Sequence, residues 1–242
     1  HGLPSTCSKK VRLVLYEKGL PFRSHLMDLR KLEQHDPEYL KINPNGVVPT
    51  LVHDGRVVIE SSVIMEYLED AFPDVPFRPA SPAGRAAMRL WLRFSDEAGH
   101  PAVYAPTWTI LNRDAMKDFT ASEREEALAR IPNPERRKRW EQVSGEGFPS
   151  ELLKAADEKM RACLARCDVA LADAQWLAGE YSLADMAAVP FVDRIRNLRP
   201  EFFKGGRYPH LDAWYGRLHA RPAFDKAMNF RDDPRAAEMI NL

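Results

Sequence analysis

At 242 residues, with 45% apolar and 29% charged side chains, the chain has the composition of a globular protein that buries a core, and no apolar run is long enough to cross a membrane. Thirty-five basic residues balance 35 acidic ones, so the whole-molecule field attracts neither nucleic acid nor an anionic membrane. Three cysteines, Cys7, Cys163 and Cys167, are too few for a disulfide framework, and no signal-peptide core stands at the N-terminus; the expected location is cytoplasmic and the expected partner a small molecule or another protein.

Ser5-Thr6-Cys7-Ser8 supplies N-cap side chains for a helix whose stripe is Val11, Val14, Leu15 and Lys18, with Gly19 where a C-cap wants positive φ. Phe22 to Met27 reads as a strand, and Asp36 to Asn43 as a short irregular helix ending in an Asn-Pro-Asn-Gly turn. Val47 to Val52, His53-Asp54-Gly55-Arg56 and Val57 to Ile59 form strand, turn and strand, the clearest hairpin in the chain. Glu60-Ser61-Ser62 then opens a helix with Val63, Ile64, Tyr67, Leu68 and Phe72 at helical spacing. The prolines at 73, 76, 79 and 82 exclude helix or central strand and mark an interdomain linker.

Ser81-Pro82 starts an amphipathic helix through Ala87, Leu90, Trp91, Phe94 and Ala98, and everything beyond reads helical. Pro101 and Pro106 are expected to bend or break it beside Tyr104 and Trp108. The charge-dense stretch 112–150, including Arg136-Arg137-Lys138-Arg139, reads as a solvated face rather than a nucleic-acid signal. Cys163 and Cys167, at i, i+4 in a helix over 151–172, lack the further ligands a metal needs and read as core. Ser182-Leu183-Ala184-Asp185 is a capping-box variant with Tyr181 as a staple, and the last helices, over 211–219 and 223–230, hold Trp214 inside.

The α-β-α-β-β-α order, the Val-Pro before a hairpin, the Glu-Ser-Ser helix start, the proline linker and the Ser182–Asp185 cap together resemble the glutathione transferase family over nearly the whole chain. The resemblance implies an α/β thioredoxin-like N-terminal domain (1–76) followed by an all-α C-terminal helical bundle domain (82–242), with glutathione as co-substrate and a homodimeric assembly. It also implies a first strand before His1. Within the family, Ile131-Pro132-Asn133-Pro134-Glu135 through Trp140 to Gly147-Phe148-Pro149, together with Glu17-Lys18-Gly19-Leu20, is most similar to the bacterial lignin β-etherases. Around Ser5 to Val11 the phi, theta and zeta transferases are similar.

Such an enzyme needs glutathione as its thiolate, whereas a free cysteine thiol with a pKa of ~8.5 is mostly protonated at neutral pH. Lowering it by about 2 units takes ~2.7 kcal/mol. A hydroxyl donating to a charged acceptor contributes ~1.5–3 kcal/mol, so one serine at the first helix suffices. The resemblance assigns that hydroxyl to Ser5, which is also a natural N-cap; Ser8 matches the β-etherase serine, and Cys7 stands where beta-class transferases place a cysteine. It further implies that Val48, before a cis-Pro49, pairs with the cysteinyl backbone, that Ser61 takes the γ-glutamyl carboxylate and Glu60 the ammonium, and that Gln34, His35 or Lys41 faces the glycyl carboxylate. The implied activity is attack on a hydrophobic electrophile, expected to be aromatic and lodged near Tyr104, Trp108 and Trp140, with β-aryl ether cleavage as its most specific form. A zeta-like isomerase and a non-catalytic glutathione-binding or regulatory protein are the alternatives.

Overall fold

The computed structural model describes residues 1–239 and Asn241. Helix α1 (Thr6–Glu17) is capped by Ser5, whose Oγ accepts from the Ser8 N–H at 3.1 Å, and the chain leaves it through Gly19 at φ 66°. Residues 22–27 differ from the expected strand. His1 and Gly2 run parallel to 25–27 through one Gly2–Met27 bridge, with the Met27 N–H on the His1 carbonyl at 2.9 Å. No ladder extends beyond that bridge, yet exposure still alternates from Pro21 to Leu26 as a strand's would.

Helix α2 (Pro37–Ile42) leads into the 43–46 turn, which is pinned by side chains. Tyr39 Oη donates to the Val47 carbonyl at 2.6 Å and Asn43 Nδ2 to the same oxygen at 2.9 Å. After the cis Val48–Pro49 bond come β1 (Thr50–His53) and β2 (Arg56–Ile59), antiparallel with Thr50 opposite Ile59 and His53 opposite Arg56. Asp54 and Gly55 both take positive φ, as a tight primed turn requires. Helix α3 (Ser61–Ala71) follows at once. No helix or strand forms over 72–81, and buried Lys18 ties that stretch down by donating to the Phe72 and Val75 carbonyls while pairing with buried Glu69 at 2.8 Å.

The remainder is helical: α4 (Pro82–Phe94), α5 (His100–Asn112), α6 (Ala121–Ala129), α7 (Pro134–Ser144), α8 (Ser150–Ala170), α9 (Leu183–Leu198), α10 (Pro209–His219) and α11 (Pro222–Met228). The expected break at Pro101 is instead a π-helical turn over Ser95–Gly99, after which Pro101 sits in the first turn of α5, where its missing N–H costs little. Pro106 lies inside α5 without ending it. No helix among the described residues is long and apolar enough to cross a membrane.

One core runs from Val14, Ile64 and Leu68 through Met186 and Val189 to Trp214, so α1 packs on α3 at one side and on α9 and α11 at the other. Asp185 anchors the middle of it. Its carboxylate accepts from the Ser182 N–H (3.0 Å), the Leu177 N–H (3.0 Å) and Trp214 Nε1 (2.8 Å), which completes the capping box of α9. A second core, with Ile131, Trp140 and Val143, is also entered by Leu32 from the N-terminal part.

Candidate active site

A cleft of about 1260 Å³ separates the N-terminal α/β part from α5, α7 and the start of α8. Ser5, Thr6 and Cys7 form its floor at the N-terminus of α1, where unpaired N–H groups and the helix dipole favour an anion. Ser5 is half-buried, and because its oxygen accepts from the Ser8 N–H its own proton stays available to the cleft. Ser8, in the first turn of α1, is wholly buried. Its hydroxyl accepts from the Gly2 N–H at 3.2 Å and does not line the cleft, so the structure does not bring this candidate to the site.

Cys7 is half-buried in the cleft floor. Burial alone would raise its thiol, but the charge and hydrogen bond of His100, then Lys10 and the Ser61 hydroxyl, outweigh it and bring the pKa down to about 6. The Cys7 charge in turn raises His100. His100 comes from the first turn of α5, where its Nδ1 meets Thr6 Oγ1, and Lys10 is held by Asp96 at 2.5 Å. Sequence reasoning misses His100. The available signal is Asp96 and His100 at i, i+4 on the face following Phe94, which turns two charged groups toward one helix N-terminus. Two further cysteines, Cys163 and Cys167, are buried in the core, and burial raises the Cys163 thiol to about 11.

Val48 and Pro49 line the cleft beside the floor, immediately before β1. Glu60 and Ser61 face it at the start of α3. Ser61 is buried, while exposed Glu60 takes φ 66°, an uncommon conformation for a side chain with a Cβ and one that persists where the surroundings dictate it.

The three residues expected at the glycyl end part company. Gln34 is buried and lines the cleft. His35 does not: it is fully enclosed beneath Gly46, where a Cβ would lie 2.5 Å from its Nδ1, and both ring nitrogens are without hydrogen-bond partners. Burial, helped by Arg136 and Arg130, drops its pKa to about 4, so it is neutral and cannot serve as the carboxylate's cation. Lys41 is exposed, pairs with Glu38 at 2.5 Å and is outside the cleft.

The opposite wall includes part of the 136–139 run, whose Lys138 and Arg139 are exposed as a solvated face requires. Arg136, Lys138 and Arg139 of α7 line the cleft, with the Arg139 guanidinium over the Tyr104 ring at 5.1 Å. Tyr104, Trp108 and Trp140 pack in series with tilted rings, centroids 4.7 and 5.0 Å apart, and Phe148 lies beside Tyr104. Trp140 is almost wholly buried, so Tyr104 and Trp108 present the apolar surface and Trp140 supports it.

Residues 4–71 match the glutathione S-transferase N-terminal domain, and residues 119–222 the glutathione S-transferase C-terminal domain. The chain is 38% identical over 229 residues to the protein LigF of Sphingobium sp. strain SYK-6, covering 91% of this chain and 88% of that one. The crystal structure of the β-etherase LigF from the same strain superposes with a TM-score of 0.87 at 36% identity, over 93% of this chain and 95% of that one. A tetrachloro-p-hydroquinone reductive dehalogenase of Sphingobium chlorophenolicum is 30% identical over 233 residues, 92% of each chain.

Proposed function

The chain belongs to the glutathione S-transferase family, and we propose that it holds glutathione as a thiolate at the N-terminus of α1 for attack on a hydrophobic aromatic electrophile. The observation that carries this reading is the electropositive floor of the cleft, where a helix N-terminus, Lys10 and His100 lower a thiol, facing the Tyr104–Trp108 wall. In this reading Ser5 donates to the glutathione sulfur, Val48 pairs with the cysteinyl backbone, Ser61 takes the γ-glutamyl carboxylate and Glu60 accepts from the ammonium. Residues 1–76 form the glutathione-binding unit and 82–242 the unit that shapes the electrophile pocket.

Cleavage of a β-aryl ether is the most specific form of the activity, supported by the likeness to a β-etherase over 93% of the chain. The thiolate attacks the carbon next to an aryl ketone, a C–S bond forms as the C–O bond breaks, and the phenoxide leaves with the electron pair and takes a proton from water. Incubating the protein with glutathione and an aryl ketone that bears a fluorogenic aryloxy group on the adjacent carbon tests it. Release of the phenol with formation of the glutathione thioether is expected; binding of glutathione without turnover of this or any aryl electrophile would point to the non-catalytic alternative.

Cys7 favours a second reading. Its thiolate can attack glutathione disulfide, forming a mixed disulfide and releasing one glutathione thiolate. Mass spectrometry after exposure to glutathione disulfide tests this by an added glutathionyl group on Cys7.

The cytoplasm and a homodimer complete the reading. Three free thiols fit a reducing compartment, and Val63 on α3 and Leu90 on α4 leave apolar side chains 55% and 63% exposed on neighbouring helices. Sedimentation at micromolar concentration should give the dimer mass; a monomer would contradict it.

A further inference from the structure

Glutathione carries two carboxylates, and each end of the site takes one. Thr50 pairs with Ile59, so the register carried two residues further brings Ser61 level with Val48. A tripeptide with its γ-glutamyl carboxylate at Ser61 and its cysteinyl unit beside Val48 has its glycyl carboxylate on the remaining side, where Gln34, Asn45 and Gly46 line the cleft. In the N-terminal part His35 is enclosed, Lys41 points away into an ion pair with Glu38, and Arg30 lines the cleft.

From the helical part, Arg136 Nη1 reaches across the cleft to within 3.4 Å of the Gly46 carbonyl oxygen. Its approach is built in: Pro134 opens α7, Asn133 Oδ1 accepts from the Arg136 N–H at 2.9 Å, and Trp140 one turn on is locked in the second core against Trp108. The guanidinium is half-buried and has further N–H groups for a bidentate partner. Burial lowers its pKa most; Tyr104, then Cys7 and Glu60, act against this and Arg139 adds to it.

We propose that Arg136, from the second domain, binds the glycyl carboxylate of glutathione and so closes the co-substrate site across the cleft. The proposal rests on glutathione as co-substrate and deepens that reading by making the helical domain part of the glutathione site. It predicts that binding glutathione draws α7 and the 43–49 segment together.

Calorimetric titration of the full chain with glutathione and with glutathione ethyl ester, which is neutralised only at the glycyl carboxylate, tests it. Wild type should bind the ester about 10–100-fold more weakly than glutathione, the range expected for loss of charged hydrogen bonds. Arg136→Met should bind both equally, at the wild-type affinity for the ester, and Arg136→Lys, which keeps the charge but not the fork, should recover part of the difference. Arg30→Met, which removes a guanidinium of the N-terminal part that also lines the cleft, should leave the difference intact. The assignment would be overturned if Arg136→Met weakened both ligands by the same factor or weakened neither, or if the difference disappeared in Arg30→Met. Failure of wild type to bind glutathione at all would overturn the co-substrate reading, and the proposal with it.

Discussion

The Thr6 hydroxyl lies 2.9 Å from His100 Nδ1, joining the first turn of α1 to the first turn of α5 across the cleft floor. A protonated imidazole donates from Nδ1 to Thr6 and is thereby held where its charge lowers the neighbouring Cys7 thiol. The contact links the thioredoxin-like part to the helical part at the point where the chemistry is proposed. It also makes the electrostatics of the floor depend on how the two parts are packed.

Cys7 should accordingly react as a thiolate well below the usual pH. Its alkylation rate by iodoacetamide should rise with pH and reach half its maximum near pH 6, with the thiolate present above that pH and lost below it. His100→Ala removes the largest favourable influence, leaving burial opposed only by Lys10 and Ser61, so the midpoint should move up toward or beyond the ordinary ~8.5. A midpoint unchanged in His100→Ala would show that the imidazole does not govern this thiol.

Ser61→Ala should weaken glutathione binding about 5–30-fold, from loss of about 1–2 kcal/mol of hydrogen bonding to a charged group. Because the Ser61 hydroxyl also donates toward Cys7, the alkylation midpoint of Cys7 should rise in the same variant, by less than in His100→Ala. Calorimetry and the alkylation profile check the two effects separately, and unchanged affinity would remove Ser61 from the glutathione site.

Local chemistry made much of this architecture legible from sequence. The Asp54-Gly55 hairpin, the Ser5 cap, the Glu60-Ser61 helix start and the Ser182–Asp185 box each depend on residues within a few positions of one another, and each stands where the spacing put it. What escaped were relationships between elements distant in sequence. His100 reaches α1 because a π-helical turn, invisible in propensities, rotates the face of α5; Gly99 permits it by lying where a Cβ would meet the Phe191 ring at 2.5 Å. Arg136 and Arg139 belong to a charge run whose composition is that of a solvated helix, and only the burial of Trp140 turns their face to the cleft. His35 went astray for the converse reason: a polar helix position was closed off by the packing of Gly46 above it.

Asp185 should be the most consequential side chain for stability among these local motifs. Asp185→Ala strands the Ser182 and Leu177 N–H groups and the Trp214 indole N–H in a dry core. At ~1–3 kcal/mol per unsatisfied donor, with partial relaxation, the loss should be about 3–5 kcal/mol and lower the Tm by on the order of 10 °C. Asp185→Asn should rescue only part, because its amide keeps one acceptor oxygen but turns an NH₂ toward one of the donors. A thermal melt of Asp185→Ala within about 2 °C of wild type would contradict this, given a shift of ~2–4 °C per kcal/mol for a chain of this size.

Ser5 carries two roles on one hydroxyl, and they can be separated by choosing the replacement. Its oxygen caps α1 by accepting from the Ser8 N–H, and its proton is the one proposed to reach the glutathione sulfur. Ser5→Ala removes both: stability should fall by about 1 kcal/mol, and the pKa of bound glutathione should rise by roughly 1–2 units, equivalent to ~1.5–3 kcal/mol. Ser5→Gly costs an N-cap only a few tenths of a kcal/mol while still deleting the hydroxyl, so it should retain the wild-type melt and show the same rise in thiol pKa. In both variants turnover at neutral pH should fall and partly recover as the pH is raised, because alkali restores the thiolate that the hydroxyl no longer stabilises. Ultraviolet titration of bound glutathione measures the thiol directly, and turnover profiles with one electrophile give the second readout. Ser8→Ala, altering a buried group away from the cleft, should leave both profiles unchanged. If Ser5→Gly keeps the wild-type thiol pKa while Ser5→Ala loses only stability, then Ser5 is a helix cap alone and the thiolate is held by the helix N-terminus with Lys10 and His100.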